Sequence, residues 1–204
     1  MIRFYRAAFS TNCERVALAL AYKDLEVESA WIEYSDRSLV EQVSGQPLVP
    51  VVELDGEVVF DSTRILRRLE ELHPEPRLFP RDPARRAELD VFLQWFNELW
   101  KRPPNEIEAE LGRPETDPLK IERLGARIDG WLDVFEALLT GRDWLSGDAV
   151  SAADFAAYPF LKFARGRSEG DDDLFHRILD EHQTLDGRPR VADWIERISR
   201  LPQA

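Results

Sequence analysis

Apolar and polar positions change their period once along this chain. Over residues 1–73 short strand-like runs alternate with helical ones, and beyond residue 83 nearly every apolar position falls in helical step. The first run, Ile2-Arg3-Phe4-Tyr5, reads as a strand. It is followed by the polar stretch Phe9-Ser10-Thr11-Asn12-Cys13-Glu14-Arg15 and then by a helical run, Val16-Ala17-Leu18-Ala19-Leu20-Ala21-Tyr22. Residues 27–33, with β-branched and aromatic positions, predict a second strand, and residues 36–44 a weak helix. A longer extended run from Gln46 to Leu54 meets Asp55-Gly56 and continues as Glu57-Val58-Val59-Phe60. Two apolar runs flanking Asp-Gly predict a hairpin with a type I′ turn. Asp61-Ser62-Thr63 then opens a helix with Ile65, Leu66, Leu69 and Leu72 in step. The order is β-α-β-α-β-β-α. Crossover helices allow parallel pairing in its first half, and the closing hairpin must be antiparallel.

Four prolines, Pro74, Pro76, Pro80 and Pro83, then fall within ten positions, which no regular helix or central strand accommodates. We place a linker at residues 76–83, between an α/β domain at 1–75 and an all-helical domain at 84–204. The helical part predicts a helix over 84–102 (Leu89, Phe92, Phe96, Leu99), a break at Pro103-Pro104 and a further loop from Gly112 to Asp117. Further helices are expected over 119–139, 151–164, 173–183 and 191–201. Ser151-Ala152-Ala153-Asp154 is an N-cap signature, hydroxyl and carboxylate three residues apart before an apolar run, and is assigned to folding.

Composition narrows the functional classes. With 204 residues, 44% hydrophobic and 32% charged, the chain is an ordinary globular protein with ample material for a core. A formal net charge of −12 argues against general nucleic-acid binding or docking on an anionic membrane. A single cysteine allows no intramolecular disulfide. With neither a secretion signal nor a long apolar run, a cytoplasmic location is the expectation. His73, His176 and His182 show no catalytic or metal-ligand spacing, so surface or capping roles are expected and no metal.

The candidate chemistry lies at the first helix start. A strand–turn–helix presents unpaired N–H groups and the positive end of the helix dipole. Ser10 and Cys13 placed there point to chemistry on an anion or a thiolate. Cys13 is either a moderately reactive thiol or a small apolar residue packed inward.

Four signatures in order resemble the glutathione transferase superfamily over essentially the whole chain. They are Ser10-x-x-Cys13-x-Arg15 at the start of the first helix, Val49-Pro50 before the third strand, Asp61-Ser62 before the third helix, and Gly147-x-x-Val150-Ser151-x-x-Asp154 in the second domain. The resemblance implies a thioredoxin-like βαβαββα domain followed by a helical bundle, with glutathione as co-substrate. It implies a cis Val49-Pro50 bond that leaves Val49 free to pair with a peptide-like ligand. The Ser62 hydroxyl and its helix N-terminus then suit a carboxylate, and Asp61 an ammonium, the two groups of the γ-glutamyl end. Either residue could instead merely cap the helix. Gln46 is a candidate for the glycyl end. Leu48 stands where relatives carry a polar side chain. Ser10 becomes a hydrogen-bond donor to the glutathione thiolate, with Thr11, Asn12 and Cys13 as secondary candidates. Relatives with a Cys-x-x-Cys turn run a dithiol cycle, which Ser10 precludes here. A second-substrate pocket would draw on Trp95 and Trp100, with core or dimer contacts as the alternative for aromatics at helical spacing.

The implied function is conjugation of glutathione to an apolar electrophile, a detoxification chemistry, by a homodimer. A non-catalytic binding module, or a glutathione-dependent isomerase, dehalogenase or reductase on the same scaffold, are the alternatives.

Overall fold

A computed structural model describes residues 1–204 and resolves them into two compact units, Met1–Pro80 with Leu201–Ala204, and Arg81–Arg200. The first contains β1 (Ile2–Arg6), α1 (Thr11–Tyr22), β2 (Val27–Trp31), α2 (Ser38–Ser44), β3 (Val51–Leu54), β4 (Glu57–Phe60) and α3 (Ser62–Leu72). Its sheet has the order β2-β1-β3-β4, parallel between β1 and β2 and antiparallel in the other two pairings. This is the βαβαββα arrangement expected. Asp55 (φ 51°) and Gly56 (φ 82°) both adopt the positive φ that a type I′ turn requires.

Side chains alternate across the sheet. Tyr5 and Val51 pack with Ile32 and with Val40 of α2 on one face. Their neighbours Phe4 and Val52 point to the opposite face and are equally buried. Strand β3 starts only at Val51, five residues later than the extended run in the sequence. The Gln46 side chain explains the difference. Its Oε1 accepts from the Leu48 N–H (2.7 Å), and its Nε2 donates to the Leu48 carbonyl (2.9 Å) and the Ser44 hydroxyl (2.8 Å). Backbone groups that would enter a ladder are thereby held in a loop.

The proline-rich stretch after α3 packs against the first unit. The buried Lys23 ammonium binds Glu70 (3.0 Å) and the carbonyls of His73 (2.5 Å) and Pro76 (2.8 Å), which satisfies all three of its protons. Glu70 in turn accepts from the Leu78 N–H at 2.9 Å.

The second unit comprises α4 (Pro83–Trp95), a π-helical turn (Phe96–Trp100), α5 (Arg102–Leu111), α6 (Pro118–Leu138), α7 (Ala152–Leu161) with a 3₁₀ turn (Lys162–Arg165), α8 (Leu174–Glu181) and α9 (Pro189–Ser199). The loop expected from Gly112 to Asp117 does join α5 to α6, but the reading of Pro103-Pro104 as a break is corrected, because these prolines open a helix. Both prolines lie in the first turn of α5, where the missing N–H groups have no intrahelical acceptor to lose. Phe96 and Trp100 stack at 4.6 Å and meet Phe135 and Phe160 edge-on, forming an aromatic core.

Candidate functional site

The sheet register brings three separated segments of the first unit to one end. Tyr5 pairs with Val51, and Val51 with Phe60. The chain leaving β1 toward Ser10, the chain entering β3 through Val49-Pro50, and the chain leaving β4 into Asp61-Ser62 therefore all run past the same row of the sheet. Two of these segments end at helix N-termini, those of α1 and α3. Such termini offer unpaired N–H groups and positive potential to an anion.

At the first, Ser10 is the N-cap of α1, with φ −78° and ψ 108°, and its Oγ accepts from the Cys13 N–H at 3.2 Å. A serine hydroxyl that accepts one bond still has a proton to donate. Thr11 is buried and Asn12 half-buried in the first turn of the helix. Cys13 is 1% exposed. Burial pushes its thiol up, opposed by the Ser10 hydroxyl, the Ala7 backbone and the charge of Arg6. The thiol is thus packed and protonated at neutral pH, as the inward alternative requires.

The Val49-Pro50 bond is cis. Ladder pairing begins at Val51, so Val49 lies just beyond it. Leu48 is 63% exposed, presenting an apolar side chain beside this segment. Gln46, expected to reach toward a ligand, has its amide engaged with Ser44 and Leu48.

At the other helix start Asp61 is exposed, with φ 70° and ψ 120°, and its Oδ1 accepts from the Arg64 N–H at 3.0 Å. A positive φ at a non-glycine residue is backbone strain of the kind that gathers at functional sites. Ser62 is buried, and its Oγ accepts from Arg15 Nη1 at 3.3 Å. Arg15 is itself 1% exposed, and burial pulls its guanidinium down to about 9 against the opposing charge of Asp61. The sequence motif contained Arg15 but assigned it no role. Its signal was a cation one helical turn after Thr11 and one before Leu18 and Ala19, on a face that is otherwise buried.

The remaining candidates lie in the second unit. Trp100 is fully enclosed in the aromatic core, whereas Trp95 is half-buried against Trp131 and Phe135. His73 and His182 are helix C-caps, as expected. His176 is a correction to the surface or capping expectation. It is buried, bonded through Nδ1 to Asp171 at 2.8 Å and stacked on Phe163. No helix is long and apolar enough to cross a membrane.

Known proteins match this arrangement along the chain. The family model for the glutathione S-transferase N-terminal domain matches residues 4–77, and that for the C-terminal domain residues 120–197. FtsZ-localized protein A of Caulobacter vibrioides is 35% identical over 161 residues, covering 72% of this chain and 70% of that protein. Glutathione S-transferase GstB of Escherichia coli is 25% identical over 211 residues, covering 99% of this chain and 95% of that protein. Among solved structures, a glutathione S-transferase from Rhodospirillum rubrum superposes with a TM-score of 0.77 at 26% identity, covering 98% of this chain and 88% of that one. The chain belongs to the glutathione S-transferase superfamily.

Proposed function

We propose that this protein is a glutathione transferase that holds glutathione at the shared sheet end and activates its thiol through Ser10 for attack on an apolar electrophile. The observation that carries the reading is the convergence of the α1 and α3 N-termini on either side of Val49-Pro50, fixed by the Tyr5–Val51–Phe60 row. Ser62 and the α3 N-terminus take the γ-glutamyl carboxylate, Asp61 its ammonium, and Val49 pairs with the peptide backbone. A free thiol titrates near 8.5, so making it mostly thiolate at neutral pH takes about two units, or ~2.7 kcal/mol. A charge-assisted bond from the Ser10 hydroxyl together with the α1 N-terminus is of that size. Of the two tryptophans, only Trp95 keeps part of its ring exposed, and the second-substrate role is proposed for it alone. The proposal extends to a cytoplasmic homodimer, which light scattering tests.

The experiment is retention on immobilised glutathione followed by an electrophile-conjugation assay. Ser10→Ala is expected to lose at least about tenfold in rate. Unchanged conjugation in that variant contradicts the reading, and loss confined to Cys13→Ser transfers the role to the cysteine.

A second reading, a non-catalytic binding module, is favoured by two observations. The Caulobacter relative is named for localisation with FtsZ, and in this chain Leu48 is apolar while the Gln46 amide is engaged within its own loop. Co-sedimentation with FtsZ, without glutathione retention or conjugation, is the outcome that supports it.

A further inference from the structure

Arg15 is a buried cation inside the first unit that neither helix needs for its own hydrogen bonding. It lies on the interior face of α1, and its Nη1 donates to the Ser62 Oγ at 3.3 Å across to the first residue of α3. The chemistry of this pair is directional. A guanidinium has donors and no acceptor, so the Ser62 oxygen must be the acceptor toward Arg15. The Ser62 hydroxyl proton is therefore turned away from Arg15 and is available to an acceptor elsewhere. The charge of Arg15 also adds to the positive end of the α3 dipole, and the carboxylate of Asp61 lies close enough to act on the guanidinium.

We propose that Arg15 is a positioning residue for the ligand. By holding Ser62 as a hydroxyl donor and lending positive potential to the α3 N-terminus, it selects a carboxylate at that end of glutathione. This inference rests on the assignment of Asp61-Ser62 to the γ-glutamyl group. Arg15 touches Ser62 and acts through it. A bare α1–α3 pin would alter stability without altering which ligand is preferred.

The test measures calorimetric affinity of the full chain for glutathione and for cysteinylglycine, which lacks the γ-glutamyl carboxylate and its ammonium. The variants are Arg15→Met, Arg15→Lys, Ser62→Ala and the Arg15→Met/Ser62→Ala double variant, each with its melting temperature. Arg15→Met is expected to weaken glutathione about tenfold and cysteinylglycine by less than about twofold, with Arg15→Lys recovering part of the loss. In the Ser62→Ala background the Arg15→Met loss should shrink to about twofold, because the two residues act as one unit. If Arg15→Met does not fold, the same comparison on Arg15→Lys decides: selective weakening of glutathione supports the inference, and unchanged selectivity overturns it. A folded Arg15→Met that keeps wild-type selectivity, or losses at Arg15 and Ser62 that simply multiply, overturns it as well. Wild-type protein that binds no glutathione overturns the ligand reading and this inference together. Binding that falls in Ser62→Ala but not in Arg15→Met overturns this inference alone.

Discussion

Two helices of this protein begin with an aspartate and a serine, and their N-termini have opposite characters. At α7 every oxygen is engaged. Asp154 Oδ2 accepts from the Ser151 N–H and hydroxyl (both 2.8 Å), its Oδ1 from the Leu145 N–H and the Trp194 indole (both 2.9 Å), and its exposure is 0%. At α3 the carboxylate of Asp61 is exposed, makes a capping bond to Arg64, and sits on a strained backbone. Residue type is shared; partner count and burial differ. A capping pair whose acceptors are consumed by its own fold serves stability, and one left open beside a second helix start can receive a ligand.

The largest effect should come from breaking the closed end. Asp154→Ala strands four buried donors and is expected to cost roughly 3–5 kcal/mol in denaturant unfolding. Activity per folded molecule should stay unchanged. At the open end the balance reverses. Asp61→Asn keeps the cap and should alter stability by less than about 1 kcal/mol, while calorimetric affinity for glutathione falls about tenfold.

A third helix start sharpens the comparison through pH. The Asp117 cap of α6 is tied to α5 by Glu110, whose carboxylate accepts from the Asp117 N–H at 3.1 Å and pairs with Lys120 and Arg113. The Lys120 ammonium foremost, then the Asp117 N–H, hold this carboxyl down at about 2 against an ordinary value of 4.5. Because the folded value is depressed, the stabilisation is full above 4.5 and is lost as pH falls through about 2. The difference in melting temperature between wild type and Glu110→Gln should therefore shrink over that window.

The smallest effect is expected at Cys13. Its buried, protonated thiol should alkylate in the native state at no more than about a tenth of the rate in denaturant. Cys13→Ala should leave conjugation within about twofold.

What could be read from the sequence followed from local rules. The Asp55-Gly56 hairpin, the period of α6 and the Ser151–Asp154 cap each depend on residues a few positions apart, and each formed where expected. Pro103-Pro104 was misread because proline ends a helix and also opens one, and only the surrounding packing distinguishes the two. The Val49-Pro50 signature marked the start of β3, whereas the extended run from Gln46 did not, because Gln46 folds back on Leu48, a contact that composition does not encode. The candidate site was legible as three short signatures, those at Ser10–Arg15, Val49-Pro50 and Asp61-Ser62. Arg15's part was not, because its meaning lies in a side chain 47 positions away across two helices.

The central claim is that Ser10 stabilises the thiolate of glutathione held at this sheet end. Its most direct test is a pH titration of bound glutathione, following thiolate absorbance near 240 nm, in wild type and in Ser10→Ala. The account predicts a wild-type midpoint about two units below the free-thiol value of ~8.5 and a return toward that value in the variant. Equal midpoints in the two proteins, or a wild-type midpoint at the free-thiol value, would contradict it.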